Sequence, residues 1–234
     1  LVGWSGHASP ASGLLAVERA LADVVAPVAS REPVLLLVLD GMSYAVFLQL
    51  LADVGERHGW FELGPSGASR RLGAVAALPT ATEVSRASLL TGGLRSGAGP
   101  SEKEGFRGHA GLLSACRPGR PPILFHKGEI GAGTYGLTDE VAAAIASREN
   151  KVVGVVLNAV DDHLDKGDQI RPRWTLEYLP LLGNLLDAAE SSKRIVILTA
   201  DHGHIVERET QLRTHADAGE RSRPATTPPA AGEL

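Results

Sequence analysis

Between residues 33 and 201 the chain repeats one grammar: a continuous run of β-prone apolar residues stops abruptly, and a helical pattern follows. Val34–Leu39 ends at Asp40-Gly41, and Leu72–Ala77 ends at Leu78-Pro79-Thr80. Lys151–Leu157 ends at Asn158-Ala159-Val160-Asp161, and Arg194–Leu198 at Thr199-Ala200-Asp201; Pro122–Phe125 is a shorter fifth run. A run that is apolar at every position fits a strand buried on both faces of a parallel sheet. Helical spacing over 13–29, 43–57, 83–91, 137–148 and 171–190 supplies the covering layers. The expected fold is therefore α/β, a mostly parallel sheet with helices on both faces. An apolar share of 44% in 234 residues is enough for one large core.

Residues 1–32 read as a helical lead-in, 33–222 as the main α/β domain, and the Pro- and Thr-rich 223–234 as a linker-like tail. An opening on Leu1 reads as the start of an excised piece. The Gly-, Ser- and Pro-rich stretch 92–119 is expected to be an irregular excursion above the sheet. In it and just after it, Arg95, Lys103, Arg107, Arg117 and Arg120 outnumber Glu102 and Glu104, a balance read as a solvated loop before a phosphate-contacting surface. A net charge of −4 gives no global attraction for nucleic acid, and 4% aromatic residues argue against binding single strands by base stacking. The single cysteine, Cys116, cannot form an intrachain disulfide and suits a reducing, cytoplasmic compartment. The longest apolar run, Val34–Leu39, is far short of a membrane span.

Three of the four strongest runs end in an acid: Asp40, Asp161 and Asp201. The carboxyl ends of parallel strands form the crevice where ligands bind, so these acids should converge despite their distance in sequence. Each alone reads as a helix cap. Together, and beside His163 and Asp165 on one side and His202 and His204 on the other, they would repel one another without a cation. Mixed Asp and His donors suit zinc first and manganese second, better than calcium. The segment Thr80-Ala81-Thr82-Glu83-Val84-Ser85 adds hydroxyls at a strand-to-helix junction. They read as competing helix caps, or as nucleophiles where helix amides and a metal can stabilise phosphate. Gly131-Ala132-Gly133-Thr134-Tyr135-Gly136 fits a dinucleotide fingerprint, but it begins several residues after Phe125, and Thr138-Asp139 is a better helix start. No nucleophile-elbow or P-loop pattern occurs.

The order Asp40-Gly41, Thr82, Ser85-Arg86-Ala87-Ser88-Leu89-Leu90-Thr91-Gly92, Asp161, Asp201-His202-Gly203 resembles the alkaline phosphatase superfamily over about residues 33–210. Its nucleotide pyrophosphatase pattern, Pro-Thr-x-Thr leading to Thr-Gly, puts the nucleophile at Thr82. So does its sulfatase pattern, although threonine cannot become the aldehyde a sulfatase needs. Asn158-Ala159-Val160-Asp161-Asp162-His163-Leu164-Asp165, Phe125-His126-Lys127 and Asp201-His202-Gly203-His204 are most similar to the PglZ domain of bacterial BREX phage-defence systems. The resemblance implies an alkaline phosphatase-like core holding one or two divalent ions. Asp40, Asp201 and His202 would bind one ion beside Thr82, with Arg86 near the nucleophile. Asp161 would open a second site, where Asp165 stands at the spacing the superfamily usually gives to His, His163 lies two after Asp161, and His204 or His215 offers a further ligand. The implied activity is that of a metal-dependent phosphoesterase, on a phosphodiester before a monoester, with nucleic acid or a nucleotide as candidate substrates. Other defence-system proteins are the implied partners. The alternative is a scaffold module in a defence complex whose site is weak or idle.

Overall fold

A computed structural model describes residues 14–64, 71–132, 136–158, 160 and 173–204. Its centre is a four-stranded, all-parallel sheet of β2 (Val34–Leu39), β4 (Ile123–Phe125), β7 (Val152–Leu157) and β8 (Ile195–Thr199), in the order β4-β7-β2-β8. The two most apolar runs are the two inner strands, and every residue of β2 and β7 is buried. Their side chains divide by parity, as the strand repeat requires. Leu35, Leu37 and Leu39, with Val153, Val155 and Leu157, enter one core, which is filled by α2 (Tyr44–His58), α7 (Asp139–Ala146) and α8 (Pro180–Ser191). Val34, Leu36 and Val38, with Val152 and Val156, enter a second core on the opposite face. Residues 17–29, α3 (Thr82–Thr91), α4 (Gly99–Gly108) and α5 (Ala110–Ala115) close that core. The mostly parallel α/β sheet with helices on both faces is thus the observed architecture.

Gly154 shows how tight the second core is. A Cβ there would stand 2.8 Å from Leu124 and 3.0 Å from Phe106, so the middle of β7 must be glycine to admit the α4 aromatic ring.

Four expectations need correction. The first helical pattern is preceded by a strand, β1 (Leu14–Ala16), and helix begins at Val17, as a 3-10 turn, a π turn over Leu21–Val25, and α1 (Ala26–Ala29). The run at 72–77 yields only β3 (Gly73–Val75), which pairs in parallel with β1 in a separate two-stranded sheet. Ala74 is exposed and Gly73 and Val75 are only half-buried, so it lacks the bulk and burial of a central strand. Stretch 92–119 is not irregular but carries α4 and α5. Pro100 sits in the first turn of α4, where its missing N–H costs nothing, and His109 Nδ1 caps α5 by accepting from Leu112 N–H. Finally, α8 begins at Pro180 and not at 171. The preceding residues form turns, with Tyr178 N–H on the Thr175 carbonyl and Leu179 N–H on that of Leu176, and are tied to α2 by Trp174 N–H on Gln49 Oε1 and Leu176 N–H on Asp53 Oδ2, both at 2.7 Å.

The short α6 (Lys127–Ile130) leads into the glycine fingerprint, whose two ends pair antiparallel as β5 (Gly131–Ala132) and β6 (Gly136–Leu137). Thr138 caps α7 through Val141 N–H. At the amino end of the sheet, buried Arg194 donates to five carbonyls, those of Ala144, Ile145 and Ser147 at the end of α7 and of Val34 and Asn150 at the strand starts. Burial, with Arg148 adding to it, lowers its pKa to about 10.

Candidate metal centre

Register brings the site together. Leu39 pairs with Leu157, so the next residues, Asp40 and Asn158, are neighbours. Val38 pairs with Thr199, and two residues further along each strand stand Asp40 and Asp201. Gly41, in the left-handed region at φ 72°, turns the chain just past Asp40. Its N–H donates to Asp201 Oδ1 at 3.2 Å, and its carbonyl faces His204 Nδ1 at 2.7 Å. Asp201 Oδ1 also accepts from His202 N–H at 2.9 Å. One oxygen of Asp201 is therefore fixed by two backbone amides, while Oδ2 is buried without a hydrogen bond.

That orphan oxygen points at the other donors. His202 Nε2 lies 3.6 Å from Asp201 Oδ2 and 3.4 Å from Asp40 Oδ1. All three residues are at most 3% exposed. Tetrahedral zinc with ligands near 2.0–2.2 Å would space them about 3.4 Å apart, so the donor set fits a divalent ion. His202 Nδ1 is 3.0 Å from Gly203 O, the carbonyl contact that orients a metal-binding imidazole with Nε2 toward the ion. Among the described residues Asp40, Asp201 and His202 are the cluster able to hold a metal.

The charge on these groups is finely divided. Burial favours the neutral form of Asp40, but its bond to His202 and the charge of Arg86 prevail and hold it below the usual carboxylate range. Burial and the nearby charge of Asp40 raise Asp201 to about 7. Burial opposes the charged form of His202, yet Asp40, Asp201 and the Gly203 carbonyl raise it to about 9. Without a cation the cluster therefore retains protons to offset its own negative charge.

Thr82 opens α3 beside this cluster, its Oγ1 2.9 Å from His202 Nε2 and 3.4 Å from Asp40 Oδ1. The junction hydroxyls do not serve as caps. The cap position is Ala81, which has no side-chain bond, and Ser85 is buried, donating to the Asp201 carbonyl and accepting from Ala77 N–H at 3.1 Å. Ser85 thus ties α3 to the loop carrying Asp201 and His202. Arg86, one turn along from Thr82, is held between two acids: Nη1 donates to Asp40 Oδ2 at 2.7 Å and Nε to Glu102 Oε1 at 3.0 Å.

Of the residues singled out from sequence, Asp40, Thr82, Arg86, Asp201 and His202 meet in one place. His204 is nearby on the Gly41 carbonyl, outside the three-ligand cluster. Asp161, His163 and Asp165, with His215, lie outside the described residues. Asn158, whose Nδ2 donates to Asp40 Oδ2 at 3.0 Å, stands in the sequence only as the first residue of the motif that ends at Asp165, and Glu102 only as an acid among bases; neither is singled out there as a site residue. Strand register alone could have pointed to Asn158. Three of the basic residues in 92–120 are paired with acids from elsewhere, Lys103 with Glu129 and both Arg117 and Arg120 with Glu149.

A parallel sheet with a hydroxyl at a helix start facing an Asp, Asp and His cluster at its carboxyl end defines an alkaline phosphatase-like domain. The family model for the BREX system PglZ alkaline phosphatase-like domain matches residues 21–228, and the chain belongs to that family. No curated protein matches it. Among the described residues no helix is long and apolar enough to cross a membrane.

Proposed function

We propose that this domain is a metal-dependent phosphoesterase of a BREX defence system, acting in the cytoplasm on a phosphodiester in nucleic acid or a nucleotide. The observation that carries the reading is the convergence of Asp40 Oδ1, the orphaned Asp201 Oδ2 and His202 Nε2 beside Thr82 Oγ1. Those three donors would hold the ion, zinc before manganese, and Asp161, His163, Asp165 and His204 are our proposed contributors to a second one. A bound ion supplies Lewis acidity, easing ionisation of the hydroxyl and offsetting charge on the phosphoryl oxygens.

Thr82 Oγ1 is the proposed nucleophile. Its oxygen lies 2.9 Å from His202 Nε2 and 3.4 Å from Asp40 Oδ1, two of the atoms that would hold the ion, so the hydroxyl proton would pass to solvent as the Oγ–P bond forms and the bond to the leaving oxygen breaks. The Val84 and Ser85 amides of α3 bond back to the Ala81 carbonyl, and those of Thr82 and Glu83, which precede the helical hydrogen bonds, favour the charge gathering on phosphorus-bound oxygens. Water then cleaves the threonine phosphoester and returns the hydroxyl. Two nitrogens of Arg86 are committed to Asp40 and Glu102, which leaves little free positive charge for a dianionic monoester and favours a monoanionic diester.

The same arginine supports a second reading, since a guanidinium 2.7 Å from Asp40 competes with a cation there. On that reading the domain is a scaffold with an idle site. Metal analysis of the full-length protein, with hydrolysis of a chromogenic phosphodiester and its monoester before and after chelation, separates the two. Bound metal and chelator-sensitive diester turnover are expected; a protein that takes up no zinc or manganese and turns over neither ester is the scaffold.

A further inference from the structure

What stands behind Arg86 changes its meaning. Glu102, on α4, is fully buried and accepts from Arg86 Nε, yet its second oxygen, Oε2, makes no hydrogen bond. His126 Nε2 is 3.4 Å from that oxygen and is also without one, so the histidine closes the pocket without satisfying the acid. A carboxylate removed from water and only half hydrogen-bonded is costly unless a charge compensates it, and Arg86 is that charge. The chain is thus Glu102, Arg86, Asp40: a buried acid, a cation, and a metal-ligand candidate.

We propose that Glu102 is the positioning and charge-balancing residue of the centre, holding Arg86 on Asp40 Oδ2 and cancelling its charge so that Asp40 Oδ1 stays available to a divalent ion. This rests on the metal reading above. With an ion bound and His202 neutral, the carboxylates of Asp40, Asp201 and Glu102 balance the ion and the guanidinium, leaving a buried cluster of no net charge. Asn158 assists by donating to the same Asp40 Oδ2, so that oxygen is occupied and Oδ1 is the one offered to a cation. Without Glu102 the full charge of Arg86 would act on the ion across a buried, weakly screened space.

The test is zinc affinity, measured on the folded full chain by competition with a chromophoric chelator. Glu102→Gln keeps the shape and loses the charge, and should weaken zinc binding about tenfold or more. Glu102→Asp should recover most of that loss. A role confined to anchoring α4 would change thermal stability and leave zinc affinity alone. In an Arg86→Met background no cation remains to be cancelled, and an unpaired buried Glu102 is held neutral, so adding Glu102→Gln should change affinity less than about twofold. Equal zinc affinity in folded wild-type and Glu102→Gln proteins overturns the proposal. So does a tenfold loss on removing Glu102 when Arg86 is already Met. Should Glu102→Gln alone fail to fold, the Arg86→Met and Arg86→Met/Glu102→Gln pair carries the decision. A wild-type protein that takes up no zinc overturns the metal reading as well, a result distinct from wild type and variant binding alike.

Discussion

Thr82 owes its position to being the first residue of a helix whose cap, Ala81, has no side chain to compete for the amides. Its hydroxyl is free to bond across the sheet, to groups 42 and 120 residues away in sequence. If it is the nucleophile, Thr82→Ala removes the attacking atom and should lower turnover roughly 10³-fold, about 4 kcal/mol of transition-state stabilisation. Thr82→Ser keeps the oxygen and should retain much of the rate. Steady-state hydrolysis by metal-loaded variants, checked for fold by circular dichroism, decides the matter. Near-normal turnover in the alanine variant would reject a covalent phosphothreonine.

The two apolar cores pack the elements together, and a few polar side chains that cross between elements fix their ends. Arg194 is the clearest: one guanidinium at the head of β8 satisfies three carbonyls at the end of α7 and two at the starts of the inner strands. The last carbonyls of a helix have no partner inside it, and a planar cation with five donors suits that need. Arg194→Met keeps much of the apolar volume but strands those acceptors in the interior. It should destabilise by about 3 kcal/mol or more in urea unfolding. Arg194→Lys, which retains charge without the fork, should fall between. A loss below about 0.5 kcal/mol for the methionine variant would show that water replaces the arginine at no cost.

For the molecule as a whole, the centre links stability to pH. The folded pKa of Asp201, about 7, lies above its ordinary 3.8, and that of His202, about 9, lies above 6.5. Both contribute stability that is complete below the ordinary value and is lost as pH rises through the folded one. The metal-free protein should therefore lose stability between about pH 4 and pH 9 on account of these two groups. Asp40, lowered, acts only at more acid pH. A divalent ion needs the deprotonated ligands, so its stabilisation should grow across the same range. Melting temperatures at pH 5, 7 and 9, with and without chelator, should show a chelator effect that widens with pH. An effect that is constant or shrinks would mean that these side chains do not bind the ion.

The local pattern carried the class of fold. Uninterrupted runs at 34–39 and 152–157 can be buried only on both faces, and Asp40 and Asp201, just past the ends of β2 and β8, are polar groups at the place where a parallel sheet exposes its carboxyl edge. Such regularities repeat within a few residues, so a single chain displays them. The pattern failed where stability comes from partners far away. A weak run, 73–75, is a strand because β1 pairs with it, and a glycine-rich stretch becomes α4 because Phe106 fills the space opposite Gly154. The centre divides in the same way. Asp40, Thr82, Asp201 and His202 are recognisable by type and by position at element ends. That Asp201 Oδ1 is fixed by Gly41, 160 residues away, while Oδ2 is left free, follows only from strand register and packing. Glu102 and Asn158 are of the same kind: ordinary residues in sequence, given their roles by the charge and hydrogen bonds that burial compels them to share with Arg86 and Asp40.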